Sequence, residues 1–201
     1  MNTRAANISQ KTRRMTGMAI LSAIVIVLQI FCTFVRFGPV SITLALVPII
    51  IGGAKYGPKA GAFLGTVFGI VVFLVGVLGW DGGFVMMLMG INAPVTVLIC
   101  IGKGLAAGFV SALAYKLFAQ KNALLAVVLA GILCPLVNTG LFILCMVTFF
   151  MPLLNTMAEG TSVFGFILVG FVGWNFVAEF FTTLFLSSAT ERIIRISKKI
   201  G

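Results

Sequence analysis

Residues 94–118 read PVTVLICIGKGLAAGFVSALAYKLF. The stretch is apolar over a length that crosses a bilayer, and it holds one charge at depth, Lys103. Charge inside a membrane is costly, so an ionisable residue there marks a functional site by default. This span makes lipid the solvent, and the rest of the chain reads as the wall around the lysine.

Composition supports that reading. The chain has 201 residues, 61% of them hydrophobic and only 9% charged. Its mean hydropathy is +1.21. A soluble domain with so few charges lacks the polar surface to face water. The length accommodates about six to seven spans of roughly 20 residues with short loops, which leaves no room for a separate soluble domain.

The net charge of +10 does not point to nucleic acid. The basic residues lie at the chain ends and in short turns between apolar runs, as the positive-inside rule and anionic lipid require. No basic patch with aromatic platforms is present. The four cysteines, Cys32, Cys100, Cys134 and Cys145, fall in apolar runs without CxxC spacing. They read as small buried hydrophobes rather than a disulfide frame or a metal site.

Histidine is absent, and the chain has four carboxylates in all. It also lacks a P-loop and a Gly-x-Ser-x-Gly elbow. The expectation is a protein that is not an enzyme, with no cofactor and no metal. The first apolar run is too long for a signal-peptide core and reads as a retained first span.

The expected fold class is all-α, an integral membrane six-helix bundle with both termini cytoplasmic. Residues 1–14 form a basic cytoplasmic N-terminal segment, either an amphipathic surface helix or disordered. Residues 15–190 form the six-span domain, and 191–201 a basic cytoplasmic tail. The spans are expected at 15–34, 41–53 (short), about 58–78, 94–118, 123–150 and 162–188. The apolar segment 84–92 reads as a re-entrant or interfacial piece. Trp80 and Asp81 read as an interfacial tryptophan and a solvated loop charge.

Six spans put the N-tail, the turns at Lys55–Lys59 and Lys116–Lys121, and the C-tail on one side. That side carries 12 of the 14 Lys and Arg residues. The other side has Arg36, Asp81 and Glu159. The asymmetry places both termini in the cytoplasm.

Small residues recur every four positions: Gly57, Gly61, Gly65 and Gly69, then Gly104, Gly108 and Ala112, and also Ala19 and Ala23. This spacing keeps them on one helix face, where small side chains let backbones approach. Internal packing accounts for the two glycine stripes. The alanine pair sits near the cytoplasmic end of its helix, where packing and docking of a partner both remain open.

Helix rise places Lys103, Asn138 and Asn175 roughly 13–20 Å below the outer helix ends, at a shared depth. Thr139 follows Asn138, Trp174 precedes Asn175, and Glu179 lies one turn further on. Two readings stay open. Lys103 and Glu179 form an ion pair that neutralises itself, or Lys103 clamps an anionic ligand group in a pocket whose amides give directional hydrogen bonds. Arg36 reads as a lid residue or an interfacial anchor.

The chain resembles the substrate-binding S-components of energy-coupling factor (ECF) vitamin transporters. Ala19-Ile20-Leu21-Ser22-Ala23 matches the family's AxxxA on the first helix. Residues 41–53 (SITLALVPIIIGG) and 56–65 (YGPKAGAFLG) look like its second and third helices. The resemblance implies capture of a vitamin-like small molecule from outside. It also implies partnership with a coupling transmembrane subunit, docked at Ala19 and Ala23, and with two ATPase subunits. The family's ligand pocket uses the elements that hold Arg36, Lys103, Asn138, Asn175, Glu179 and Trp174 here. Among subgroups, a basic residue on span 4 (Lys103), Asn138-Thr139 on span 5 and Glu179 on span 6 resemble the pantothenate-type members, with riboflavin-type members second. The alternatives are an autonomous proton- or sodium-coupled carrier with Glu179 as the coupling site, and a structural membrane subunit. The location implied is the bacterial plasma membrane.

Overall fold

The computed structural model describes residues 3–34, 36–37, 40–41, 44–158, 160, 162–167, 177 and 180–183. Trp174, Asn175, Glu179 and most of the expected last span lie outside the described residues, as does Glu159. The element order is α1 (Thr3–Thr33), β1 (Arg36–Phe37), β2 (Val40–Ser41), α2 (Leu46–Tyr56), α3 (Pro58–Val77), α4 (Phe84–Phe118), α5 (Ala123–Phe149), α6 (Met151–Met157) and α7 (Val163–Phe166). The architecture is helical, with one two-residue antiparallel pairing of Arg36 with Ser41 and Phe37 with Val40. Among the described residues, four helices are long and apolar enough to cross a membrane, and α2 is a shorter apolar helix among them.

Local signals set the helix ends. Gly57 adopts φ 92°, and Pro58 follows at the first helical position of α3, where its missing N–H removes nothing. Asn122 accepts a hydrogen bond from Leu125 N at 3.1 Å and caps α5. Helix α1 runs on through the basic segment, so residues 3–14 continue the first span as helix.

Segment 84–92 departs from the expected re-entrant piece. It is helical and leads directly into the fourth span. Asn92 interrupts the helix with φ −153° and ψ 90°, and its Oδ1 accepts from Val95 N at 3.3 Å. That geometry is an N-cap, and it places Pro94 in the first turn of the second piece. Asp81 is not a freely solvated charge. It is half-buried, and its two carboxylate oxygens accept from Gly83 N at 2.9 Å and Val85 N at 2.8 Å. It therefore closes the start of the first piece, where negative charge is favoured.

The glycine stripes pack α3 against α4. A methyl group added at Gly65 would overlap the Gly104 carbonyl oxygen, and one at Gly104 the Gly65 carbonyl oxygen. Gly61 and Gly108 oppose each other in the same way, and a Cβ at Gly69 would come within 2.6 Å of Cys100 O. The two backbones are therefore in contact along three turns, a distance that only glycine permits.

Apolar packing divides into two clusters. One gathers Val25, Leu46, Ile49, Leu64, Tyr115, Ala126, Ala130 and Cys134. The other gathers Phe84, Val85, Leu88, Cys100, Phe142, Met146, Phe150 and Leu154. The first lies toward the basic end of the bundle, which carries Lys11, Arg13, Arg14, Lys55, Lys59, Lys116 and Lys121. At that end Arg14 donates to Tyr56 O at 3.1 Å, and the Tyr56 hydroxyl sits against Gly17. These two contacts fix α1 on the α2–α3 turn.

Pro135 lies inside α5, where its missing N–H leaves the Gly131 carbonyl without its helical donor. Thr183 supplies a replacement. Its hydroxyl, buried at 5% exposure, lies 3.1 Å from Gly131 O and 3.0 Å from its own-turn partner Phe180 O. A hydroxyl from a neighbouring helix is one of the ways lipid-embedded proline is tolerated.

Candidate functional site at the boundary of the two clusters

Residue spacing puts the site between the clusters. Along α5, Cys134 belongs to the basic-end cluster, Asn138 comes one turn later, and Phe142 one turn later again belongs to the far cluster. Along α4 the order is reversed: Cys100 in the far cluster, Lys103, then Ala107 in the basic-end cluster. Lys103 and Asn138 thus mark the polar layer where the two apolar bodies meet.

The Lys103 ammonium sits 4.9 Å from the centroid of the Phe142 ring. This is cation–π range, an attraction of about 0.5–2 kcal/mol depending on desolvation. Asn138, four residues earlier on the same face of α5, is 5% exposed. Its Oδ1 is enclosed and has no hydrogen-bond partner among the described residues. A buried unpaired amide oxygen is costly, about 1–3 kcal/mol, and most such groups in proteins find a partner. The side chain is therefore set up to accept a hydrogen bond from something else.

The α3–α4 contact holds Lys103 in place. Its neighbour Gly104 is locked against Gly65, which fixes the rotation of α4 about its axis and hence the direction in which residue 103 leaves the helix. Helix α2 contributes by being short. Its 11 residues span only about 16 Å, rising from Tyr56 to the level of Phe68 on α3. Gly65 and Gly69 lie opposite Gly104 and Cys100, so α2 stops near the depth of Lys103. The backbone of Arg36 is in the pairing with Ser41. Ala19 and Ala23 are both exposed on α1, away from this layer.

Among the described residues, five buried polar side chains escaped the sequence reading: Ser111 and Thr183, and three that matter to the depth of this layer. Gln29 and Thr33 on α1 are 3% and 2% exposed, and Thr96 on α4 is fully buried. Thr33 donates to Gln29 O at 2.8 Å and Thr96 to Asn92 O at 2.8 Å. Gln29 lies 12 residues past Gly17, about 18 Å along the axis, so it reaches the depth of Gly69 and the polar layer. Its signal was present, since a glutamine inside the run Val27-Leu28-Gln29-Ile30 is out of place in lipid. Phe142 carried no comparable mark, being one phenylalanine among 19.

The apolar helices point to a multi-pass membrane protein. The profile of a known family, the ECF transporter substrate-specific component, matches residues 13–191. The match covers most of the chain, and the protein belongs to that family. It is thus a substrate-specific subunit of an ECF transporter. No curated relative matches the chain.

Proposed function

We propose that the chain captures a water-soluble vitamin from the outer side of the bacterial plasma membrane, with pantothenate the first choice and riboflavin the second. The carrying observation is that the Lys103 ammonium and the enclosed, unpartnered Asn138 Oδ1 share the layer between the clusters. An ammonium suits a carboxylate, and an unpaired amide oxygen suits a hydroxyl or amide N–H. Pantothenate offers all three groups, and riboflavin offers hydroxyls and an imide N–H without a carboxylate. Asn175, Glu179, Trp174 and Arg36 complete this reading as further ligand contacts.

The reading includes six spans with both termini in the cytoplasm, as the charge asymmetry supports. It assigns no enzymatic step and no cofactor to this chain. ATP hydrolysis belongs to two partner ATPase subunits, and Ala19 and Ala23 face the coupling transmembrane subunit.

The test begins with the purified chain in detergent, without ATP, and mass spectrometry of what co-purifies. The expected result is one retained small molecule, and titration calorimetry with pantothenate then gives saturable binding. Preferential binding of riboflavin would move the choice to the second vitamin. If neither vitamin binds and liposomes holding this chain alone accumulate solute under a proton or sodium gradient, the capture reading fails in favour of an autonomous carrier.

A further inference from the structure

A second feature of the molecule lies at its basic end, remote from Lys103. Between α1 and α3 runs a groove of about 520 Å³ whose lining includes Lys11, Arg14, Met15, Met18, Ala19 and Phe63. Lys11, Arg14 or Met15, and Met18 follow one another at three- and four-residue steps, so they form one face of α1. Phe63, 54% exposed, supplies the facing wall from α3.

The polarity of the groove is graded along the helix axis. Two cations stand at its mouth, methionine, alanine and phenylalanine continue it into the span, and the small hydroxyl of Ser22 is the one polar group among the deeper lining residues. That is the order of groups in a phospholipid standing in a leaflet, with an anionic headgroup at the interface and an acyl chain beneath it. A protein helix with one apolar face would match the floor but leave the two cations without a counter-charge. Arg14 is also held in position, since one of its five N–H donors is engaged by Tyr56 O at 3.1 Å. A basic recess between transmembrane helices is a recurrent headgroup site.

We propose that this groove binds one anionic phospholipid, with its phosphate between Lys11 and Arg14 and one acyl chain along Met15, Met18, Ala19 and Phe63. Assignment to the cytoplasmic leaflet rests on the orientation proposed above, whereas binding itself does not. Because Ala19 lines the groove, the lipid occupies part of the face assigned to the coupling subunit and has to leave when that subunit docks.

The test uses the full chain in a nonionic detergent, titrated with phosphatidylglycerol or with phosphatidylcholine of the same acyl chains, and counts bound lipid by native mass spectrometry. Phosphatidylglycerol is expected to be retained preferentially. At about fivefold per basic residue, Lys11→Ala lowers its affinity about fivefold and the Lys11→Ala/Arg14→Ala pair about thirtyfold. Phosphatidylcholine, whose choline offsets its phosphate charge, binds more weakly and loses less affinity on the same changes. Lys11 is exposed, so its variant keeps the wild-type melting temperature and vitamin affinity, which separates this outcome from misfolding and from failure of the capture reading. Ala19→Trp fills the apolar part and lowers retention without changing charge. Equal retention of the two lipids by the wild type overturns the proposal and leaves the groove to a protein partner. Full displacement of phosphatidylglycerol by inorganic phosphate also overturns it, since the site would then hold an anion and no chain.

Discussion

Lys103 owes its position to two different neighbours, a ring that attracts its charge and a glycine that fixes its helix. An ammonium at the centre of a span costs about 2.5–3.5 kcal/mol on insertion scales, and a desolvated aromatic face offsets about 2 kcal/mol or more of that. Replacement by alanine is expected to weaken binding of the captured vitamin roughly ten- to hundredfold, the worth of a hydrogen bond to a charged group, read by calorimetry. Asn138→Leu is expected to act with opposite signs on two measurements. It raises the melting temperature of the ligand-free protein, because a buried unpaired acceptor disappears, and it weakens ligand binding, because the ligand's donor is then unpaired. A purely structural asparagine would lower the melting temperature instead. Lys103 and Asn138 were legible in the sequence because polar residues in apolar runs announce themselves. Phe142 was not, since its role depends on which face of α5 meets α4, a property of tertiary packing that spacing does not report.

Among the elements, the α3–α4 pair was the most readable. Glycines every four residues on two successive spans are the pattern that close helix packing needs, and the structure sets each glycine against a backbone carbonyl of the opposing helix. Gly65→Ala is expected to destabilise the protein by about 1–3 kcal/mol through forced separation of the helices, seen as a lowered melting temperature. Gly102, which has open space where a side chain would go, is the internal control, and Gly102→Ala is expected to be neutral or stabilising. Segment 84–92 was not legible as a helix because hydropathy sees only apolar residues, whereas its helical start depends on the carboxylate of Asp81, two residues before Gly83. Asp81→Ala is expected to cost about 0.5–2 kcal/mol, as for the loss of a helix cap. The same melting measurement checks it, and an unchanged melting temperature would mean the two hydrogen bonds contribute nothing net.

The whole molecule is asymmetric in charge. Among the described residues most basic side chains gather at the end where Arg14 meets Tyr56, and the carboxylate of Asp81 lies at the other end. The sequence anticipated this from the positive-inside pattern alone, because the rule depends on counting charges in turns and needs no packing. Bulky residues at Ala19 and Ala23 are expected to spare vitamin binding by the isolated chain and to abolish uptake when the coupling and ATPase subunits are supplied. Uptake that survives Ala19→Trp/Ala23→Trp would place the partner elsewhere.

The carbonyl contacts between α3 and α4 carry a dynamic consequence. Helices joined backbone to backbone along three turns have no side-chain layer to slide on, so they travel as one rigid slab. Whatever rearrangement releases a captured molecule must then be hinged outside that slab. Proline-interrupted α5, whose broken hydrogen bond Thr183 replaces, is the natural place for the bending. A disulfide engineered across α3 and α4 is therefore expected to leave transport intact, whereas one that ties α5 to α4 across the Lys103 layer is expected to arrest it.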